Sequence, residues 1–303
     1  MSRIIIIFLD NILKKIVMCA KIDLSNNKKT RSPIMINKII NLCPDKPHVT
    51  LTSYVHEDTS TPRTTVLVCP GGGYWMTCAD YEGEYIAEYY YEAGFNAFVL
   101  IYSTAENNQI TNLDPLAEVG LAVKYLRENA SVYGVDPNKI ATCGFSAGGH
   151  LAGSAGILWN IPEVKAAMGN APEGINRPNA MILSYPVITA GKQAHRGSFE
   201  NLTGIKGYGE DVENKFSLEK NVEPTTPPVF IWHTFNDSCV PVENSILLLA
   251  ACAANKVPCE AHIYPNGPHG MGLAVNRESD TLNDPHVATW ADLSAMWLKD
   301  IFK

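Results

Sequence analysis

From residue 50 onward the chain alternates short β-branched apolar runs with segments whose apolar residues recur at helical spacing, and this alternation constrains the fold most strongly. Residues 49–55 and 64–69 read as strands from their β-branched content, and 95–102 as a strand buried on both faces, because NAFVLIY is too apolar to lie half exposed. Residues 80–93 and 115–129 read as helices, the second with Leu116, Val119, Val123 and Leu126 on one face. Further strands are expected at 140–144, 180–185, 228–233 and 260–264, and further helices at about 147–159, 242–254 and 286–302. Strand, helix, strand crossovers are right-handed and build a mostly parallel sheet covered on both faces. The fold class is therefore α/β, as one domain over residues 36–303.

Two stretches break the pattern. Residues 188–227 are polar and rich in glycine, and separate two strands by some forty positions, so they read as a lid at the C-terminal edge of the sheet. Phe199, Asn201, Tyr208 and Phe216 within it are expected to close over a ligand. Residues 1–35 read as an extension that is disordered or untranslated, with Met35 as the functional start. Its longest apolar run, 4–9, is broken by Asp10 and is too short to span a bilayer, and Lys14 and Lys15 interrupt any secretory signal. Ile5, Leu9, Ile12, Leu13 and Ile16 share a helical face, so an interfacial helix is conceivable, but no membrane partner is expected.

Composition removes several function classes. The 303 residues are 46% hydrophobic and 18% charged, which describes a packed globular protein rather than a disordered chain. A formal net charge of −7 without a basic run lacks the footprint that a phosphate backbone demands, so nucleic acid is not an expected partner. Eight cysteines are too few for a disulfide scaffold, and no CxxC pair argues for zinc. A cytoplasmic location follows as the expectation, with secretion as the alternative, and neither metal nor cofactor is expected.

The decisive motif is Gly144-Phe145-Ser146-Ala147-Gly148, a G-x-S-x-G set between a strand and a helix. A sharp strand-to-helix turn crowds the backbone around the serine, so glycine is needed where a Cβ would collide. Ser146 is thereby pushed out at the end of the sheet, beside the free N–H groups of the following helix. Upstream, Pro70-Gly71-Gly72-Gly73-Tyr74-Trp75 follows the strand VLVC but fits neither phosphate-binding glycine pattern. Gly72 and Gly73 are instead expected to aim their N–H groups, with that of Ala147, at a tetrahedral oxyanion. Tyr74 and Trp75 are candidates for lining the substrate pocket, with core packing as the alternative.

A serine needs a base, and the base needs a carboxylate to hold its tautomer. His269 lies in Pro265-Asn266-Gly267-Pro268-His269-Gly270, a turn after the last strand-like run, whereas His150 and His233 read as interior groups and His195 has no comparable placement. Asp237 follows the strand VFIWHT, and is preferred to Asp136, which reads as a turn residue, and to Glu243, which begins a helix. The resulting order Ser146, Asp237, His269 differs from that of the two common serine-protease folds.

With PGGGY, GFSAGGHLAG, PPVFIWHT…ND…VPVENS and PNGPHG, the chain resembles the α/β-hydrolase superfamily from about residue 37 to its end. Within it the resemblance is to the carbohydrate acetylesterase and acetyl-xylan-esterase-like branch, related to the hormone-sensitive-lipase group. Pro70 stands where the lipase-like relatives carry histidine, and Asn236 stands beside Asp237 where relatives often show a second acid. The resemblance implies a serine esterase that removes small acyl groups, typically acetyl, from plant-polysaccharide fragments such as xylo-oligosaccharides, some relatives releasing ferulate. A peptidase of the prolyl-oligopeptidase type and a non-catalytic ligand-binding hydrolase fold are the competing readings.

Overall fold

The computed structural model describes residues 35–108, 111–275 and 282–303, so the expected N-terminal extension, up to residue 34, lies outside the described residues. Eight strands form one sheet in the order β1-β2-β4-β3-β5-β6-β7-β8. They are β1 (Met35–Asn41), β2 (Thr50–Val55), β3 (Arg63–Cys69), β4 (Asn96–Ile101), β5 (Val135–Phe145), β6 (Ala180–Ser184), β7 (Val229–Thr234) and β8 (Cys259–Tyr264). The β1/β2 and β2/β4 pairs are antiparallel, and all pairs from β4 to β8 are parallel.

The parallel strands read as continuous apolar runs because helices cover both their faces: β6 and β7 are buried along their entire length. On one face lie α2 (Asp114–Glu128), α3 (Ala147–Ile157), α4 (Pro162–Met168) and α7 (Glu243–Ala254). On the other lie α1 (Tyr85–Glu92) and α8 (Thr289–Ile301), joined by Tyr90 Oη and Ser294 Oγ at 2.8 Å and by Tyr89 Oη donating to Asp292 at 2.7 Å. The helix after the serine is hydrophobic all round and wholly buried, so its small residues let it press against β5 and β6.

Two expectations need correction, and one element was not foreseen. No element was read at 35–41, where β1 forms as an edge strand that, among the described residues, pairs with β2 alone. The reading of residues 80–93 as one regular helix fails at its start, where residues Asp80–Glu84 form a π-helical turn before α1. The polar stretch 188–227 folds as α5 (Arg196–Thr203), α6 (Glu210–Phe216) and a 3₁₀ turn at Leu218–Lys220. Phe199, Tyr208 and Phe216 are buried against the core, so of the four residues expected to face a ligand only Asn201 reaches the cleft described below. Each short helix turns its aromatics inward because burying that area is its main source of stability.

Candidate active site

Ser146 sits at the first turn after β5, with φ 54° and ψ −121°, a strained conformation for a residue bearing a Cβ. Its N–H donates to Ser184 O and its own carbonyl accepts from Val187 N–H, both at 3.0 Å, so β6 holds the strain in place. Gly144 and Gly148 are obligatory for a steric reason. A Cβ on Gly144 would lie 2.0 Å from Gly148 O, and one on Gly148 would lie 2.2 Å from Cys69 O and 2.3 Å from Pro70 O.

The loops after β7 and β8 bring the other two expected residues to this serine. His269 Nε2 lies 2.8 Å from Ser146 Oγ, and His269 Nδ1 lies 2.7 Å from Asp237 Oδ2. An ionised carboxylate only accepts, so Nδ1 carries the proton and Nε2 presents its lone pair to the serine hydroxyl. Burial raises the Asp237 carboxyl, but donation from His233 and His269, the field of His269 and the Val240 N–H outweigh it and hold the acid well below the ordinary carboxylate range. Its Oδ1 accepts the N–H groups of Cys239 and Val240 at 2.8 and 3.0 Å. His233 is the buried supporting group that its strand-end position foretold, bonded to Ser245 Oγ at 2.7 Å and Val240 O at 3.0 Å.

Hydrogen bonds hold the glycine loop at three of its carbonyls. Tyr102 donates to Pro70 O at 2.6 Å, Cys78 N–H to Gly71 O at 2.9 Å, and Asn201 Nδ2 to Gly73 O at 2.9 Å. Among the described residues, the N–H groups of Gly72, Gly73 and Ala147 donate to no other group of the protein. Free donors at this point are what a developing oxyanion requires.

Tyr74 departs from its expected role. It is fully buried, at φ 55°, with its hydroxyl 2.8 Å from His150 Nδ1. Because His150 Nε2 donates to Phe216 O at 2.9 Å, Nδ1 is an acceptor and the tyrosine O–H donates to it. The positive φ turns Tyr74 into the core and leaves its neighbour Trp75 53% exposed on the cleft.

The cleft around Ser146 and His269 has a volume of about 370 Å³, and is lined also by Gly72, Gly73, Trp75, Cys78, Tyr81, Glu82, His195, Asn201 and Cys239. His195 was passed over in the sequence because its approach to the triad is made by the packing of α5. Its Nδ1 lies 2.8 Å from Ser198 Oγ, and burial followed by the nearby His269 lowers its pKa against the pull of Asp237. Burial pushes both cleft thiols up, Glu82 adding to this at Cys78 and Asp237 at Cys239, so neither is activated as a thiolate. A larger cavity of about 450 Å³, lined by Asp80, Tyr81, Glu84, Tyr85 and Met271, holds no triad atom; chemistry rather than size selects the smaller one. Among the described residues no cluster of three His, Cys, Asp or Glu side chains is arranged to hold a metal, and no helix is long and apolar enough to cross a membrane.

A mostly parallel sheet with a strained serine after its central strand, and an acid and a histidine on loops further along, defines an α/β-hydrolase. More narrowly, the chain belongs to the BD-FAE family, whose sequence model matches residues 51–251. It is 40% identical over 242 residues to the endo-1,4-beta-xylanase B of Butyrivibrio fibrisolvens, covering 80% of this chain and 36% of that protein. It is 31% identical over 212 residues to the acetylxylan esterase of Xylanibacter ruminicola, covering 69% of this chain and 41% of that one. The chain thus spans well under half the length of these two relatives. The crystal structure of an acetyl ester-xyloside bifunctional hydrolase from Caldicellulosiruptor lactoaceticus superposes with a TM-score of 0.77 at 32% identity, over 89% of this chain and 98% of that one.

Proposed function

We propose that the protein is a metal-free serine esterase that removes acetyl groups from acetylated xylo-oligosaccharides or similar small acyl esters. The observation that carries this reading is the unbroken relay Ser146 Oγ, His269 Nε2, His269 Nδ1, Asp237 Oδ2, with steps of 2.8 and 2.7 Å. Such a relay turns a weak nucleophile into an alkoxide equivalent. As Ser146 Oγ attacks the acyl carbon, its proton passes to His269 Nε2. The carbonyl electron pair moves to oxygen, which the N–H groups of Gly72, Gly73 and Ala147 receive, each donor contributing roughly 3 kcal/mol in the transition state. Collapse of the intermediate breaks the ester C–O bond, and the His269 proton leaves with the alcohol. Water then repeats the sequence on the acyl-serine, releasing the acid and restoring the serine.

The substrate class draws support from the relatives and from the shape of the cleft. A volume of about 370 Å³ lies near the small end of ligand sites, suited to an acetylated sugar unit rather than a long acyl chain. The exposed face of Trp75 offers a flat apolar surface to a pyranose ring, while His195 and Asn201 offer polar atoms to its hydroxyls. Ser146→Ala should lower turnover of 4-nitrophenyl acetate and acetylated xylo-oligosaccharides by on the order of 10⁶. Near-normal turnover in that variant, or faster release from prolyl-peptide reporters than from acetyl esters in the unmodified protein, would sink the reading.

A further inference from the structure

Glu82 is a buried carboxylate that the serine mechanism does not use. It is 2% exposed, carried inward by the π-helical turn in which Glu84 N–H donates to Ala79 O and Tyr85 N–H to Asp80 O. Burial pushes its carboxyl up, while donors from Tyr185 and Gly71 and the field of His269 push it back. Gly71 N–H donates to Oε2 at 2.8 Å and Tyr185 O–H donates to Oε1 at 2.7 Å. The same tyrosine oxygen accepts the N–H of Gly272 at 2.9 Å.

These bonds join two loops that nothing in the sheet relates to each other. Gly71 opens the glycine loop after β3, and Gly272 lies three residues beyond His269 in the loop after β8. Strands β3 and β8 stand four places apart, roughly 19 Å at the usual interstrand spacing, so no ladder bond fixes the distance between their loops. Tyr185 bridges that gap from the end of β6. Its φ of 35° is unusual for a tyrosine, and its ring meets His269 edge-on at 5.0 Å and Trp232 at 5.0 Å. Gly272 is tied on its other side by Trp290 Nε1, which donates to its carbonyl at 3.0 Å.

We propose that Glu82, acting through Tyr185, is a positioning residue that fixes the oxyanion loop relative to the His269 loop. Base and oxyanion donors are then held in register on the same tetrahedral intermediate. The inference rests on the esterase reading above and adds to it a residue in the buried wall of the cleft that acts through Tyr185 and the two loops.

The test compares Glu82→Gln, Tyr185→Phe and the double variant with the unmodified chain, using 4-nitrophenyl acetate turnover, far-UV circular dichroism and labelling of Ser146 by a fluorophosphonate. Gln keeps the shape but places an N–H₂ donor against one of two donors. The Tyr185 oxygen already accepts from Gly272, and among the described residues its proton has no acceptor other than Glu82. Each single variant should lower kcat by about 10²-fold, the loss expected of a misplacement near 1 Å. KM should stay within about threefold, since ground-state binding is not the target. The double variant should be no slower than the poorer single one by more than about threefold, because both cut one link. Normal kcat in both singles, losses that multiply, or a fall in melting temperature with kcat unchanged would each overturn the clamp. If Glu82→Gln does not fold, Tyr185→Phe alone decides by the same criteria. Labelling separates the two readings. An unmodified protein that does not react with the probe defeats the esterase reading, whereas normal labelling with normal kcat in both variants defeats the clamp alone.

Discussion

Replacing Gly148 by alanine is the most direct probe of the turn that presents Ser146. The new Cβ would lie 2.2 Å from Cys69 O and 2.3 Å from Pro70 O, both backbone atoms with no freedom to rotate away. A comfortable carbon-to-oxygen contact is about 3.3 Å, so β3 and the α3 terminus must separate by roughly 1 Å. That displacement moves the glycine loop away from the serine. A misplacement of this size costs about 10²-fold in rate, or about 2.7 kcal/mol of transition-state stabilisation, while overpacking a filled interior costs about 1–3 kcal/mol of stability. The assay is kcat/KM for an acetyl reporter at 25 °C beside a thermal melt, with Gly209→Ala as the control, since nothing lies within 4 Å of a Cβ there. Gly148→Ala activity within about threefold of the control, with an unchanged melt, would refute the steric argument.

Two further outcomes follow from the same geometry. The buried imidazole of His150 is lowered from its ordinary value of 6.5 to about 4, mainly by burial, so between pH 6.5 and 4 the unfolded chain takes up a proton that the folded one refuses. Stability should therefore be full above pH 6.5 and fall by about 3 kcal/mol as pH drops through 4; urea midpoints that keep the same slope in His150→Gln would contradict this. Asp237 works at the acid end, its contribution lost only as pH falls below the ordinary carboxylate range, so the two windows are separable. Trp75→Ala should raise KM for acetylated xylo-oligosaccharides by about tenfold, while leaving that for 4-nitrophenyl acetate within about twofold; equal effects on both would remove Trp75 from sugar binding.

The sheet was legible because its parallel strands are buried on both faces and announce themselves as apolar runs between helices. The grouping of Ser146, Asp237 and His269 was legible because each follows a strand, where loops collect at one edge of the sheet. Strand β1 escaped notice because, among the described residues, a single neighbouring strand leaves it few apolar constraints; Ile39 is 72% exposed. Helices α5 and α6, with eight and seven residues, are too short to display a helical period. Tyr74 and Trp75 are adjacent in sequence yet face opposite ways, a reversal set by one positive φ that composition does not reveal. Glu82 did leave a trace, since with Ile86 and Tyr90 it falls on the buried face of its helical segment, where a carboxylate must have a reason to be. His195 left none, because its nearness to Ser146 is made wholly by tertiary packing.

Ser146 and His269 stand 123 residues apart, His269 on the loop after β8, the last strand in chain order and one edge of the sheet. On the esterase reading, a nascent chain carries the hydroxyl and the glycine cradle well before His269 is made, so its hydrolytic power waits on the final loop.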